Sequence, residues 1–145
     1  MKTTLFLFCL GCIFLFTSCQ KTDFSKPDEV IKDYRAHANQ KNYGEIYDNF
    51  LSTKSKEFVT RDEFINYFTD FDSTSKLTSS LSTKIVPAEV ITKGPSYKRF
   101  KVDETYLASR DTLKFRYYYT LINENGVWKV IWTGTLLAAA REISN

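Results

Sequence analysis

Apolar side chains recur at helical spacing through the chain segment that follows residue 26. A first set of apolar residues predicts a helix over about residues 27–40, with a proline suited to its first turn. A second set falls at i, i+3, i+4 and i+7 and predicts a short second helix. The two sets are Pro27, Val30, Ile31, Tyr34 and Ala38, then Tyr43, Ile46, Tyr47 and Phe50.

A third helix is indicated by a capping box. Thr60 and Glu63 have the spacing of an N-cap hydroxyl and the carboxylate that reaches back to it. Phe64, Phe68 and Phe71 then repeat every three or four residues, so we predict a helix over about residues 61–71. The polar segment between the second and third helices is predicted to begin as a loop over residues 51–58.

Alternation replaces helical spacing after about residue 82, and β-branched residues become frequent. The pattern predicts four strands: one over residues 84–91 that Pro87 bends or delays, and three more around residues 99–108, 113–121 and 128–132. Turns are expected at Lys93–Ser96 and Ser109–Asp111. The sequence Asn123–Gly126 predicts a tight hairpin, because Asn-Gly tolerates positive φ.

Helices that precede a run of antiparallel strands favour an α+β domain. We expect three N-terminal helices packed on a curved, cone-like, four-stranded antiparallel sheet. The hydrophobic content of 43% in 145 residues is enough for one such domain and leaves little room for a second.

The N-terminus has the pattern of an export signal. A single lysine precedes an apolar run over residues 5–16, which is too short to span a bilayer. The ending Phe16-Thr17-Ser18-Cys19 resembles the bacterial lipobox, although Leu is usual where Phe16 stands. This resemblance implies cleavage before Cys19 and membrane attachment through a diacylglyceryl group on its sulfur. We therefore predict a signal peptide (1–18), a lipidated tether (19–26), the domain (27–136) and a tail (137–145).

The remaining chemistry is sparse. Cys9 and Cys12 have the spacing of a redox or zinc motif, but both lie inside the predicted signal, so we expect no cofactor and no metal. The lone histidine, His37, has no identifiable catalytic partner. A net charge of +3 with 17 acidic residues among 20 basic ones argues against nucleic acid as a partner.

Several basic residues can share the outer face of the predicted sheet. They either contact anionic lipid or an acidic glycan, or form an ordinary solvated face with interspersed carboxylates. These residues are Arg99, Lys101, Lys114, Arg116 and Lys129.

The arrangement resembles the nuclear transport factor 2-like fold, a cone in which a curved sheet wraps around N-terminal helices. More closely, it is similar to the N-terminal domain of methicillin-resistance-type penicillin-binding transpeptidases and to related lipoprotein domains. The residues that carry the resemblance are Asn42–Asp48, Ser52, Lys56, Thr60–Phe64, Tyr67 and Gly126–Trp132. The resemblance implies the fold and is nearly silent on activity.

Glu104 is the one residue that breaks the strand pattern, because it shares a face with Phe100, Val102 and Tyr106. Either it points into the cone, with a raised pKa suited to a general base, or it lies at a strand end or pairs with Arg99 or Lys101. A candidate pocket would comprise Tyr34, Glu104, Tyr117 and Tyr119.

Three functions remain open from the sequence. The first is a non-catalytic binding or accessory module at the bacterial envelope, whose partner is an envelope protein, cell-wall material or a small apolar ligand. The second is a small cone-fold enzyme that uses Glu104, as the resemblance to ketosteroid isomerases and polyketide cyclases implies. The third is an immunity or inhibitor lipoprotein. The export signal favours the first, at the cell membrane or the outer membrane, and we lean against enzymatic activity.

Overall fold

The computed structural model describes residues 21–75, 79–88, 96–108 and 111–132. The predicted signal, Cys19, the turn residues 93–95 and 109–110, and the predicted tail lie outside these residues. Helices come first, and the strands follow. The elements are α1 (Pro27–Asn39), α2 (Tyr43–Glu45), α3 (Thr53–Lys56), α4 (Arg61–Ser75), β1 (Ser79–Pro87), β2 (Tyr97–Ala108), β3 (Asp111–Glu124) and β4 (Val127–Ile131).

The predicted helices form where the apolar spacing places them. The capping box at the start of α4 is present: the Thr60 amide donates to Glu63 Oε2 over 2.8 Å, and the Glu63 amide donates to Thr60 Oγ1 over 3.4 Å. This helix continues to Ser75, four residues beyond its predicted end. The second predicted helix is α2 followed directly by a π-helical turn, Ile46–Phe50.

The segment predicted to begin as a loop, residues 51–58, is non-helical at Leu51 and Ser52 and then forms α3 from Thr53. The Ser52 hydroxyl accepts the Ser55 amide over 3.1 Å and caps the first turn of this short helix. Sequence periodicity missed α3 because four residues are too few to show an apolar stripe.

The strands form a single antiparallel sheet in the order β1-β2-β3-β4. The hairpin between β3 and β4 is confirmed, with positive φ at Asn125 (57°) and Gly126 (87°). β1 begins at Ser79, five residues before its predicted start, and ends at Pro87, whose ring removes a donor from the ladder. Residues 89–91 of the predicted strand lie outside the part that the structure describes.

One face of the sheet carries the inward side chains of the core. Helix α1 packs on this face, and the buried side chains of α1, the π-helical turn and α4 complete one hydrophobic cluster. The domain is therefore α+β, with helices against a four-stranded antiparallel sheet, as predicted. The buried sheet residues are Phe100, Val102, Tyr119, Leu121, Trp128 and Val130, and the helical ones include Val30, Ile31, Tyr34, Ile46, Phe50 and Phe64.

The segment before α1 is fixed to the domain at β4. The Trp128 amide donates to the Phe24 carbonyl over 2.8 Å, and the Phe24 ring packs 5.3 Å from Phe50. On the same strand, the Ser52 amide donates to the Val130 carbonyl over 2.9 Å. Among the described helices, none combines the length and apolar character needed to cross a bilayer.

Candidate functional site

Glu104 points into the core, which is the first of the two positions that the sequence left open. It lies in the middle of β2, opposite Phe115 of β3, and only 1% of its surface is exposed. Over the described ranges it is the one buried carboxylate. A buried charge of this kind is costly unless it is paired and hydrogen-bonded, so its partners decide what it can do.

The partner of Glu104 is Arg35 of α1, and not Arg99 or Lys101 as the sequence suggested. Arg35 Nε donates to Glu104 Oε1 over 2.9 Å, and Arg35 Nη2 donates to Glu104 Oε2. The contact is therefore bidentate, with the planar guanidinium fitted to both carboxylate oxygens. The Arg35 side chain is itself 10% exposed, so the whole ion pair lies between helix and sheet.

Hydroxyl groups from three strands form the remaining hydrogen bonds of the Arg35–Glu104 pair. Tyr106 OH donates to Glu104 Oε2 over 2.5 Å and accepts from Arg35 Nη2 over 3.0 Å. Thr83 Oγ1 donates to Glu104 Oε1 over 3.2 Å, and Arg35 Nη1 donates to Tyr119 OH over 2.9 Å. Both oxygens of Glu104 thus accept two hydrogen bonds each, and the network joins α1 to β1, β2 and β3.

The electrostatics of the cluster favour a permanently charged arginine. Burial alone would lower the pKa of Arg35, but interactions with Tyr119, Glu104 and Tyr106 outweigh it and raise the pKa well above its ordinary value. Burial is also the largest cause that raises the pKa values of Tyr106, Tyr117 and Tyr119. These tyrosines therefore stay neutral and act as hydrogen-bonding groups throughout the physiological range.

All four predicted pocket residues lie around this cluster. The Tyr34 ring meets the Tyr119 ring edge-on at 5.4 Å, and Tyr117 lies 6.3 Å from Tyr119. The Arg35 guanidinium lies 5.6 Å from the Tyr117 ring centroid and 5.8 Å from that of Tyr119. Burial raises the pKa of Tyr34 as well. We call the set Tyr34, Arg35, Glu104, Tyr106, Tyr117 and Tyr119 the buried polar cluster.

Sequence reasoning missed Arg35 and Tyr106 as members of the cluster. Arg35 follows Ile31 by four residues and so lies on the buried stripe of α1, which was a usable signal. Tyr106 shares strand parity with Glu104. An inward carboxylate needs a cation, and Arg35 is the one buried basic residue of the described helices.

The buried polar cluster has the form of a structural network more than that of an acid–base site. A general base must direct a lone pair at the proton it removes, whereas the Glu104 oxygens are directed at Arg35, Tyr106 and Thr83. His37 lies apart from the cluster, with its ring 5.2 Å from Phe50. The described segments contain no grouping of three His, Cys, Asp or Glu side chains that could hold a metal ion.

Most of the basic residues that were predicted to share the outer face of the sheet lie on that face. Arg99 and Lys101 of β2 and Lys114 and Arg116 of β3 have the strand parity opposite to that of the core residues. The predicted fifth member, Lys129 of β4, also has the outward parity, but its ammonium turns toward Phe24 and lies 4.4 Å from that ring centroid. Burial and the nearby Lys56 ammonium lower the pKa of Lys129.

The chain is similar to several solved structures. The chain superimposes on the crystal structure of a candidate scytalone dehydratase from Novosphingobium aromaticivorans with a TM-score of 0.42 and 16% sequence identity. The superposition covers 71% of this chain and 75% of that chain. No protein-family model and no curated protein matches the sequence. A proposal about function therefore depends on the residues of this chain.

Proposed function

We propose that the chain is an exported bacterial lipoprotein with a nuclear transport factor 2-like domain that acts as a non-catalytic binding module at the cell envelope. In this proposal Cys19 carries the diacylglyceryl anchor, and residues 1–18 are the cleaved signal. The support is the apolar run of residues 5–16 followed by Thr17-Ser18-Cys19. An anchored binding module needs a stable domain close to the membrane and no reactive centre.

The proposal that the domain is non-catalytic rests on the hydrogen bonding of Glu104. It is the residue on which a cone-fold isomerase or cyclase mechanism would depend, and both of its oxygens are engaged within the protein. Arg35 forms a bidentate ion pair with Glu104. Arg35 belongs to α1, a helix packed in the core. To act on a substrate, Glu104 would have to leave a buried ion pair, and separating such a pair is strongly unfavourable.

The position of Phe24 supports a domain that lies close to the bilayer. Phe24 is fixed to β4 through its carbonyl and packs on Phe50, so the chain is part of the domain from about this residue onward. Phe24 lies five positions after Cys19, which allows a reach of at most about 18 Å from a lipidated Cys19. The β4 edge of the domain would then stay near the membrane surface.

Fatty-acid labelling in the native host tests the anchor. We expect the wild-type chain to incorporate labelled palmitate and to partition with membranes, and the Cys19→Ala variant to lose the label. The matched control is Cys12→Ala, which removes a cysteine of the predicted signal and should leave labelling unchanged. Label retained in Cys19→Ala, or lost equally in both variants, would contradict the lipoprotein assignment.

A further inference from the structure

Charge is distributed unequally between the two layers of the domain. The helical part, residues 21–75, contains eight Lys and Arg against eleven Asp and Glu. The described strand segments from residue 79 to residue 132 contain seven Lys and Arg against four Asp and Glu. The helical layer thus has an excess of acidic residues and the sheet layer an excess of basic ones. The sheet side therefore has a positive potential that the overall net charge of +3 does not reveal.

Within the sheet, the positive charge is concentrated on the face opposite the core. Cross-strand pairing aligns Lys84 of β1 with Asp103 of β2, and Asp103 with Arg116 of β3. Among the described residues of this region Asp103 is the one carboxylate. It accepts a 2.7 Å hydrogen bond from Arg116 Nε and lies 3.9 Å from Lys101 Nζ. We call the five cations of this region the basic face: Lys84, Arg99, Lys101, Lys114 and Arg116.

An exposed aromatic ring lies within the basic face. Tyr118 is paired with Lys101 across the β2–β3 ladder, and 49% of its surface is exposed. The Arg99 guanidinium lies 4.6 Å from the centroid of the Tyr118 ring. Thr120 follows Tyr118 on the same face of β3, and Thr105 of β2 lies further along that face, opposite Lys114. The region therefore combines cations, an amphipathic ring and neutral hydroxyl groups.

The shape of the basic face fits an extended partner. β2 and β3 run for 12 and 14 residues, and outward side chains on each strand recur about every 6.6 Å. Cross-strand pairing places Arg99 and Lys101 of β2, and then Arg116 and Lys114 of β3, in four successive rows of the ladder, so these cations form a line along the two strands. A chain molecule with repeated negative charges can follow such a line.

We propose that the basic face binds an acidic polysaccharide of the cell envelope, a chain that carries carboxylate or phosphate groups at regular intervals. The cations neutralise its charged groups, and Tyr118 packs against a sugar ring. This inference deepens the proposed function, because it needs an exported protein, but it does not require the lipid on Cys19.

Charge-reversed variants test the proposal with the full chain purified from membranes in neutral detergent. The test variant is Lys101→Glu/Lys114→Glu. The matched control, Lys32→Glu/Lys54→Glu, makes the same change in net charge on exposed positions of α1 and α3. Binding to immobilised polygalacturonate is measured over a range of salt concentrations, with neutral dextran as the blank.

We expect salt-sensitive binding of the wild type and of the control, and binding about tenfold or more weaker for the test variant. Equal loss in both variants would show a general charge effect and overturn the proposal. Binding to mixed micelles of phosphatidylglycerol and the same detergent that the test variant loses and the control keeps, with no binding to polygalacturonate, would overturn it in favour of a lipid surface. Failure of the anchor appears separately, as missing palmitate on a chain that still binds the polysaccharide.

A second variant tests the role of the ring. Tyr118→Ala removes an exposed side chain from β3 and leaves all five cations in place, so the domain should remain folded. We expect it to weaken binding to polygalacturonate and to leave binding to inorganic polyphosphate, which has no sugar rings, unchanged. An equal effect on both polymers, or on neither, would overturn the assignment of a polysaccharide.

Discussion

Arg35 and Glu104, which are 69 residues apart in the chain, form a bidentate ion pair between α1 and β2, with Arg35 Nε 2.9 Å from Glu104 Oε1. The pair lies where a hydrophobic contact would otherwise join helix and sheet. Its bonds fix the rotation of α1 against the strands, because a guanidinium meets a carboxylate in few geometries. The same bonds, with those from Thr83 and Tyr106, occupy both carboxylate oxygens.

Removing only the arginine should destabilise the domain strongly. In Arg35→Met, Glu104 keeps its burial and loses its cation, and we expect the free energy of unfolding to fall by about 3–5 kcal/mol. Urea unfolding followed by tryptophan fluorescence measures the change. The control is Arg61→Ala, which breaks the exposed Arg61–Asp48 pair and should cost about 0–1 kcal/mol. Comparable losses in the two variants would mean that the buried pair contributes no more than a surface one.

Replacing both members of the pair should recover stability that the single change removes. In Arg35→Met/Glu104→Leu no unpaired charge stays in the core, so the double variant should be more stable than Arg35→Met. The urea midpoints of the two single variants and the double variant, compared in a thermodynamic cycle, measure the coupling. Additive effects would show that the two side chains act independently.

The order of the elements could be predicted from the sequence because each long element shows its own period. Strand parity left an inward and a strand-end position open for Glu104, and the structure shows the inward one. The identity of its partner could not be obtained in the same way. Periodicity gives the buried side of α1, but the angle at which α1 crosses the strands decides whether Arg35 meets β2.

Neither the short helical elements nor the hydrogen-bonded state of Glu104 could be predicted from the sequence, and the two have different reasons. α3 has four residues, and the π-helical turn Ile46–Phe50 has the apolar spacing of an ordinary helix, so neither had a periodic signal of its own. Tyr34 and Glu104, which were predicted to share a candidate pocket, both belong to the buried polar cluster. Hydrogen bonding, which no sequence spacing reveals, determines that the Glu104 oxygens are occupied.

The acidity of Asp103 should depend on Arg116. Hydrogen bonding from Arg116 is the largest cause that lowers the pKa of Asp103, and the charges of Arg116, Lys101 and Lys84 add to it. Because the folded-state pKa is lowered, the stabilisation is present above the ordinary pKa of an aspartate and is lost as pH falls through the folded value.

Arg116→Gln should therefore raise the pKa of Asp103 toward its ordinary value and make the unfolding midpoint less sensitive to acid below about pH 4. Carbon-detected NMR titration of the Asp103 carboxyl measures the pKa directly. Lys54→Gln, at an exposed position of α3, is the control and should leave that titration unchanged. If the Asp103 pKa is unaltered in Arg116→Gln, the other cations, and not Arg116, lower the pKa of Asp103.

The hairpin between β3 and β4 should depend on the conformation of Gly126 and not on contacts at that position. Gly126 has φ of 87°, and no atom lies within 4 Å of where a Cβ would stand. Gly126→Ala therefore meets no steric obstacle outside its own backbone, yet we expect it to lower the free energy of unfolding by about 1 kcal/mol, because an L-residue adopts this φ at a cost.

Gly44→Ala provides the opposite case for comparison. Its Cβ would meet the end of the Arg61 side chain, which can move, and Gly44 lies within helix α2 at ordinary φ. Alanine in a helix is favoured over glycine by about 1 kcal/mol, so this variant should be no less stable than the wild type. Urea unfolding of both variants decides the point: if Gly126→Ala unfolds at the wild-type midpoint, the turn tolerates alanine and β3–β4 pairing alone maintains its geometry.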